Sequence, residues 1–191
     1  MSRFGARLRG SQAVSGWLRG GSGNISRIQR GTITIAQAAT SNTATLTNAV
    51  DVNRSRLVLL GITAAGDAQV NPVACRLALT NGTTVTATVN TASGSGDRVV
   101  SYEVIEYAPG AIKAIRRGTI TTTAASSGTD TFTAVNTDKS SVDFLGFTTD
   151  STQTSPASAW VRLELTNTTT ITATGVGGVN RTIGYQVVEW N

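Results

Sequence analysis

Along this chain apolar and polar positions alternate with a period of two. Thr32 to Ile35 alternates, as does the stretch carrying Leu77, Leu79, Val85 and Ala87. Successive side chains of a strand point to opposite faces, so this pattern predicts half-buried β-strands. Leu57-Val-Leu-Leu60 is instead a short continuous apolar run and predicts a strand buried on both faces. Asn81-Gly82 lies between two alternating runs and predicts a tight type I′ hairpin, with a looser turn at the related Asn167-Thr168. Gly175 to Gly178 lies between two predicted strands and reads as a turn, not a phosphate loop. Threonine is abundant, and its stiff β-branched side chain suits a pleated surface.

The strand pattern occurs twice. Arg76 to Thr88 aligns with Arg162 to Thr174 with ten of thirteen positions identical. Ile28-Gln-Arg-Gly-Thr-Ile-Thr-Ile35 aligns with Ile115-Arg-Arg-Gly-Thr-Ile-Thr-Thr122, and Leu59-Leu-Gly61 with Phe144-Leu-Gly146. Tyr102-Glu-Val-Ile-Glu-Tyr107 closes the first copy and Tyr185-Gln-Val-Val-Glu-Trp190 the second. With about five to seven runs per copy, the expectation is an all-β chain of two tandem small antiparallel β-sandwich domains. The expected divisions are a basic arm at 1–26, a first repeat at 27–107, a linker at 108–114 around Pro109-Gly110, and a second repeat at 115–191.

Charge separates the arm from the rest. Residues 1–30 hold six arginines and no acid, so the other ten basic residues face all eleven acidic ones. The repeats therefore offer no basic face for sequence-specific nucleic acid. Arg3, Phe4, Arg7, Leu8, Arg9, Trp17, Leu18 and Arg19 alternate charge with apolar anchors among glycines, which fits a docking arm that orders on a partner. A plain tail and an organellar transit peptide share this composition. No apolar run is long enough to span a bilayer, and no secretory signal precedes the repeats.

The chain has no histidine, which removes the commonest general base and the Ser-His and Cys-His nucleophile systems. Cys75 aligns with Val161 and reads as a small buried apolar residue. Paired carboxylates remain, and Glu106 and Glu189 are the best placed. They occupy equivalent positions near equivalent strand ends, so they read as structural ion pairs with Arg76 and Arg162 in preference to a ligand contact or a catalytic pair. Asp130, Asp138, Asp143 and Asp150 are scattered through the second copy and carry no EF-hand loop pattern, which leaves an oxygen-ligand calcium site there only as a minor alternative. No metal, cofactor or catalytic residue is assigned, and the chain is expected not to be an enzyme. Trp160 aligns with Ala74, so the duplication does not explain it, and it is a candidate partner contact or a filler of the second core.

The closing strand Val99 to Tyr107, repeated at Thr182 to Trp190, resembles the final strand of H-type-lectin-like β-sandwich domains of phage head, neck and tail appendages. The Arg-Gly-Thr-Ile strands and threonine-rich hairpins are similar too, over roughly residues 28–191. The sugar-binding residues of those lectins are not placed on this chain. The resemblance implies a structural virion protein, assembled in the bacterial cytoplasm as a homo-oligomer, a trimer or hexamer, and attached to other virion proteins by its N-terminal segment. The rival readings are a receptor- or glycan-binding module for a host surface and a capsid decoration protein.

Overall fold

The computed structural model describes residues 24–191 apart from 65, 67 and 153–158. The arm residues Arg3, Phe4, Arg7, Leu8, Arg9, Trp17, Leu18 and Arg19 lie outside the described residues. The N-terminal half contains β1 (Ile25–Ile35), β2 (Ser41–Thr45), β3 (Ser55–Ala64), β4 (Cys75–Asn81), β5 (Thr84–Val89) and β6 (Arg98–Tyr107). The C-terminal half contains β7 (Ile112–Thr122), β8 (Ser127–Thr131), β9 (Ser140–Thr149), β10 (Val161–Leu165), β11 (Thr170–Gly175) and β12 (Arg181–Trp190).

The chain is all-β with antiparallel sheets, and the halves pair their strands in the same order. β1-β6-β3 corresponds to β7-β12-β9, and β2-β5-β4 to β8-β11-β10. A single pairing, Arg76 with Gly146, joins β4 to β9 and links two of these trios into one six-stranded run. The Arg-Gly-Thr-Ile pattern has a packing reason. Gly31 sits opposite Tyr102 and Gly118 opposite Tyr185, and a Cβ on either glycine would approach the phenol oxygen to 2.6 Å. The glycine makes room for the neighbouring ring.

Matching bulges interrupt β3 and β9. Leu60 is the extra residue between Leu59 and Gly61, and on β9 the step from Phe144 to Phe147 spans only Tyr185 to Ile183 on β12. A bulge turns a side chain out of the regular alternation. Two apolar cores follow, one around Ile33, Leu57, Leu77, Val85 and Tyr102, the other around Ile120, Phe147, Ile171, Ile183 and Tyr185. Each borrows from the other half: Leu145 belongs to the first core and Ala74 to the second.

Three local expectations are corrected. β3 is an edge strand and is not buried on both faces: Leu57 is buried, but Leu60 is 54% exposed. The hairpin turn is Gly82-Thr83, with Asn81 paired to Thr84 and its side chain accepting from the Thr83 amide at 2.8 Å. Gly82 has no positive φ; it is small because the Val50 carbonyl oxygen would lie 2.6 Å from a Cβ there. Finally, β7 begins at Ile112, so residues 108–111 make the connection between the halves.

Candidate functional site

The most elaborate polar constellation lies where the halves meet. β3 uses one edge for β6, which leaves the Leu57 N–H and carbonyl on the other. The Gln186 side chain of β12 takes both: its Nε2 donates to the Leu57 carbonyl at 2.9 Å and its Oε1 accepts from the Leu57 amide at 3.3 Å. Gln186 also donates to Asp143 at 2.7 Å and accepts from Arg117 Nε at 3.1 Å, so its buried amide is fully partnered. Arg117 reaches further, donating to the Val52 carbonyl at 2.8 Å and to the Ser55 carbonyl. Burial, with no carboxylate partner to offset it, pulls the Arg117 guanidinium down to about 10. Asp143 forms an ion pair with Arg56, which holds that guanidinium above its ordinary value despite burial.

At the centre of this joint is Leu145, the bulge residue of β9, 3% exposed and packed in the core of the other half. Gly146 follows with φ +86°, and a Cβ there would overlap the Cys75 carbonyl oxygen. Gly184 allows the Arg76 stem to lie across β12, where a Cβ would meet Arg76 Cγ at 2.8 Å. Tyr107 and Trp190, which end the last strand of each half, meet edge to face at 5.0 Å.

The expected pairing of Glu106 with Arg76 and of Glu189 with Arg162 is corrected. Glu106 pairs with Arg54 at 2.9 Å and accepts from the Asp51 amide at 3.0 Å. Glu189 pairs with Lys113 at 2.7 Å and accepts from the Asn136 amide at 3.0 Å. The Lys113 hydrogen bond and then that of the Asn136 amide hold the Glu189 carboxyl below its ordinary range. Arg76 and Arg162 cannot serve, because they alternate with the inward-facing Cys75, Leu77, Val161 and Leu163 and point away from the core. Arg162 pairs with the exposed Glu164 at 2.8 Å, and Arg76 Nε has no partner.

Two buried cations escaped the sequence reading. Arg98 donates to the Gln37 and Ala39 carbonyls at 3.3 and 2.5 Å, and Arg181 to the Ala159 and Val176 carbonyls at 2.8 and 2.6 Å. The signal was present: the two arginines are equivalent, and each is in step with the core-facing Val100 and Tyr102 or Ile183 and Tyr185. Both hold loop segments in place by hydrogen bonds to main-chain oxygens.

Cys75 is buried, and its thiol is pushed up to about 11 by desolvation. Trp160 is 58% exposed and so does not fill the second core; it meets the Phe147 ring at 5.6 Å. Both border an apolar cavity of ≈ 190 Å³ that Leu59, Ile62, Val70 and Phe144 also line. Among the described residues no three His, Cys, Asp or Glu side chains gather as a metal site, and no helix is long and apolar enough to cross a membrane. Comparison with protein-family models, curated proteins and solved structures found no match.

Proposed function

We propose that this chain is a duplicated β-sandwich protein that serves as a non-enzymatic structural component of a bacteriophage virion. It is a head, neck or tail appendage or decoration protein, held to the particle by residues 1–26 and assembled as a homo-oligomer, a trimer or hexamer. The observation that carries this reading is how the buried charge is spent. Glu106, Glu189, Arg98 and Arg181 all bind main-chain groups or neighbouring ions of their own sandwich, and Gln186, Arg117 and Asp143 lock the halves together. Among the described residues these groups are used to hold main chain and neighbouring ions in place, which supports a structural role. The resemblance of the closing strands to H-type-lectin-like appendage domains points the same way.

Deleting residues 1–26 is expected to abolish incorporation into particles while the repeats keep their thermal unfolding transition. Incorporation that survives the deletion would remove the arm from the proposal. A second reading, a receptor- or glycan-binding module, is favoured by the exposed Trp160 beside an apolar cavity. It requires saturable glycan binding that is lost in Trp160→Ala.

A further inference from the structure

The two halves differ most in what covers equivalent surfaces. The outer face of β7-β12-β9 is covered by the N-terminal half: Gly184, Gln186 and Val188 on that face of β12 are all buried. Their equivalents on β6, Ser101, Glu103 and Ile105, are only half-buried. The bulge leucine shows the same contrast. Leu145 is 3% exposed inside a foreign core, whereas Leu60, in the same bulge of β3, is 54% exposed. Gly61 follows Leu60 as Gly146 follows Leu145, yet a Cβ at Gly61 would find nothing within 4 Å. Arg117 donates to main-chain carbonyls across the joint, while its equivalent Arg30 has a side chain 63% exposed and pairs with Glu103 at 2.5 Å.

The receiving surface is unequal in the complementary sense. In the N-terminal half the flank between β3 and β4 is closed, and Leu57, Cys75, Leu77 and Leu79 are 9% exposed or less. Their equivalents in the C-terminal half, Val142, Val161, Leu163 and Leu165, are only partly buried against their core. Among the described residues, one half has a plugged flank and an exposed plug, and the other has a buried plug and a flank that no equivalent leucine enters.

We infer that the open flank of the C-terminal half, between β9 and β10, receives the outer face of β1-β6-β3 from a second copy of this chain, with Leu60 entering where Leu145 enters in the internal joint. The occupant is a second copy because its docking element is already present once, seated, in the same molecule. In the contact Ile28 and Ile105 lie toward the Thr137–Lys139 turn, and Arg30 faces the Thr137 and Ser140 carbonyls, the counterparts of those that Arg117 binds. The contact joins unlike surfaces, so it propagates head to tail and either closes into a ring or continues as a filament. It is also weaker than the internal joint. Val58 stands in place of Asp143 and Ser141 in place of Arg56, so the ion pair is missing, and Glu103 in place of Gln186 cannot donate to a carbonyl. Assembly is therefore reversible and dependent on concentration. The inference rests on the duplicated-domain part of the proposed function and not on its virion part.

The test is sedimentation of the full-length chain with Leu60→Asp as the variant. Leu60 is exposed, so the variant should keep the wild-type unfolding midpoint. Wild type should sediment above the mass of one chain as concentration rises through the micromolar range, and Leu60→Asp should remain a monomer. Mixed in excess with wild type, the variant should reduce the larger species to a one-to-one complex, because its flank still accepts a wild-type leucine. A monomeric wild type, a variant that associates like wild type, or a variant that does not bind wild type would each overturn the inference. Chains lacking residues 1–26 should associate as the full chain does, which separates this result from failure of particle attachment.

Discussion

Leu60 and Leu145 are the same residue of the same bulge in two copies of one strand pattern, and they have opposite fates. Leu145 is part of a core and Leu60 stands in solvent. Around Leu145 the polar groups were exchanged to suit a covered face: glutamine where the open copy has Glu103, aspartate where it has Val58, glycine where it has Ser101. The apolar centre is shared, and the rim distinguishes the permanent contact from the open one. Interfaces commonly divide in this way, with a buried anchor that sets the energy and surrounding polar groups that set the partner.

The contrast breaks most sharply at the leucines themselves. Leu145→Ala should cost about 2 to 5 kcal/mol, since it opens a cavity in the N-terminal core. Leu60→Ala should change the stability of the single chain by no more than about 0.5 kcal/mol, as expected for a surface position. Urea unfolding of both variants at low protein concentration checks the pair, and equal effects would remove the distinction.

Next in size is the glutamine. Gln186→Ala leaves the Leu57 amide and carbonyl without their partners and should cost about 1 to 3 kcal/mol, the usual range for an orphaned buried group. Glu103→Ala removes only a partner of the exposed Arg30 and should cost about 1 kcal/mol or less. The same unfolding measurement separates them.

The smallest effect concerns acid. The Glu189 carboxyl is held below its ordinary value in the folded state, so its contribution is complete above the unfolded value of 4.5 and is lost as pH falls through the lower folded value. Glu189→Gln should therefore differ from wild type by a constant amount between pH 7 and pH 5, with the gap narrowing below about 4.5. Unfolding midpoints measured against pH would show this, and a gap that stays constant down to pH 3 would contradict it.

The strands were legible because period two and the aligned segments are local properties of the chain. The partners of Glu106 and Glu189 were not. Alternation places Glu106 on the face of Tyr102 and Val104, but Arg54 comes from a 3-10 turn and Lys113 from the first residues of β7, within the expected linker. Hydrophobicity does not report a bulge, so the run Leu57 to Leu60 predicts a strand buried on both faces, whereas the bulge turns Leu60 outward. What covers each outer face was illegible for a related reason. The clue lay in substitutions between the copies, Glu103 to Gln186 and Val58 to Asp143, which look neutral until a surface is known to be buried.

The seated Leu145 also sets an order of events during synthesis. Residues of the N-terminal half leave the ribosome first, and domains generally fold as units in that order. Here the first half cannot complete its interior from its own residues, because one of its inner side chains, Leu145, belongs to a strand made later in the same chain. The nascent chain therefore waits with an apolar flank uncovered until β9 emerges.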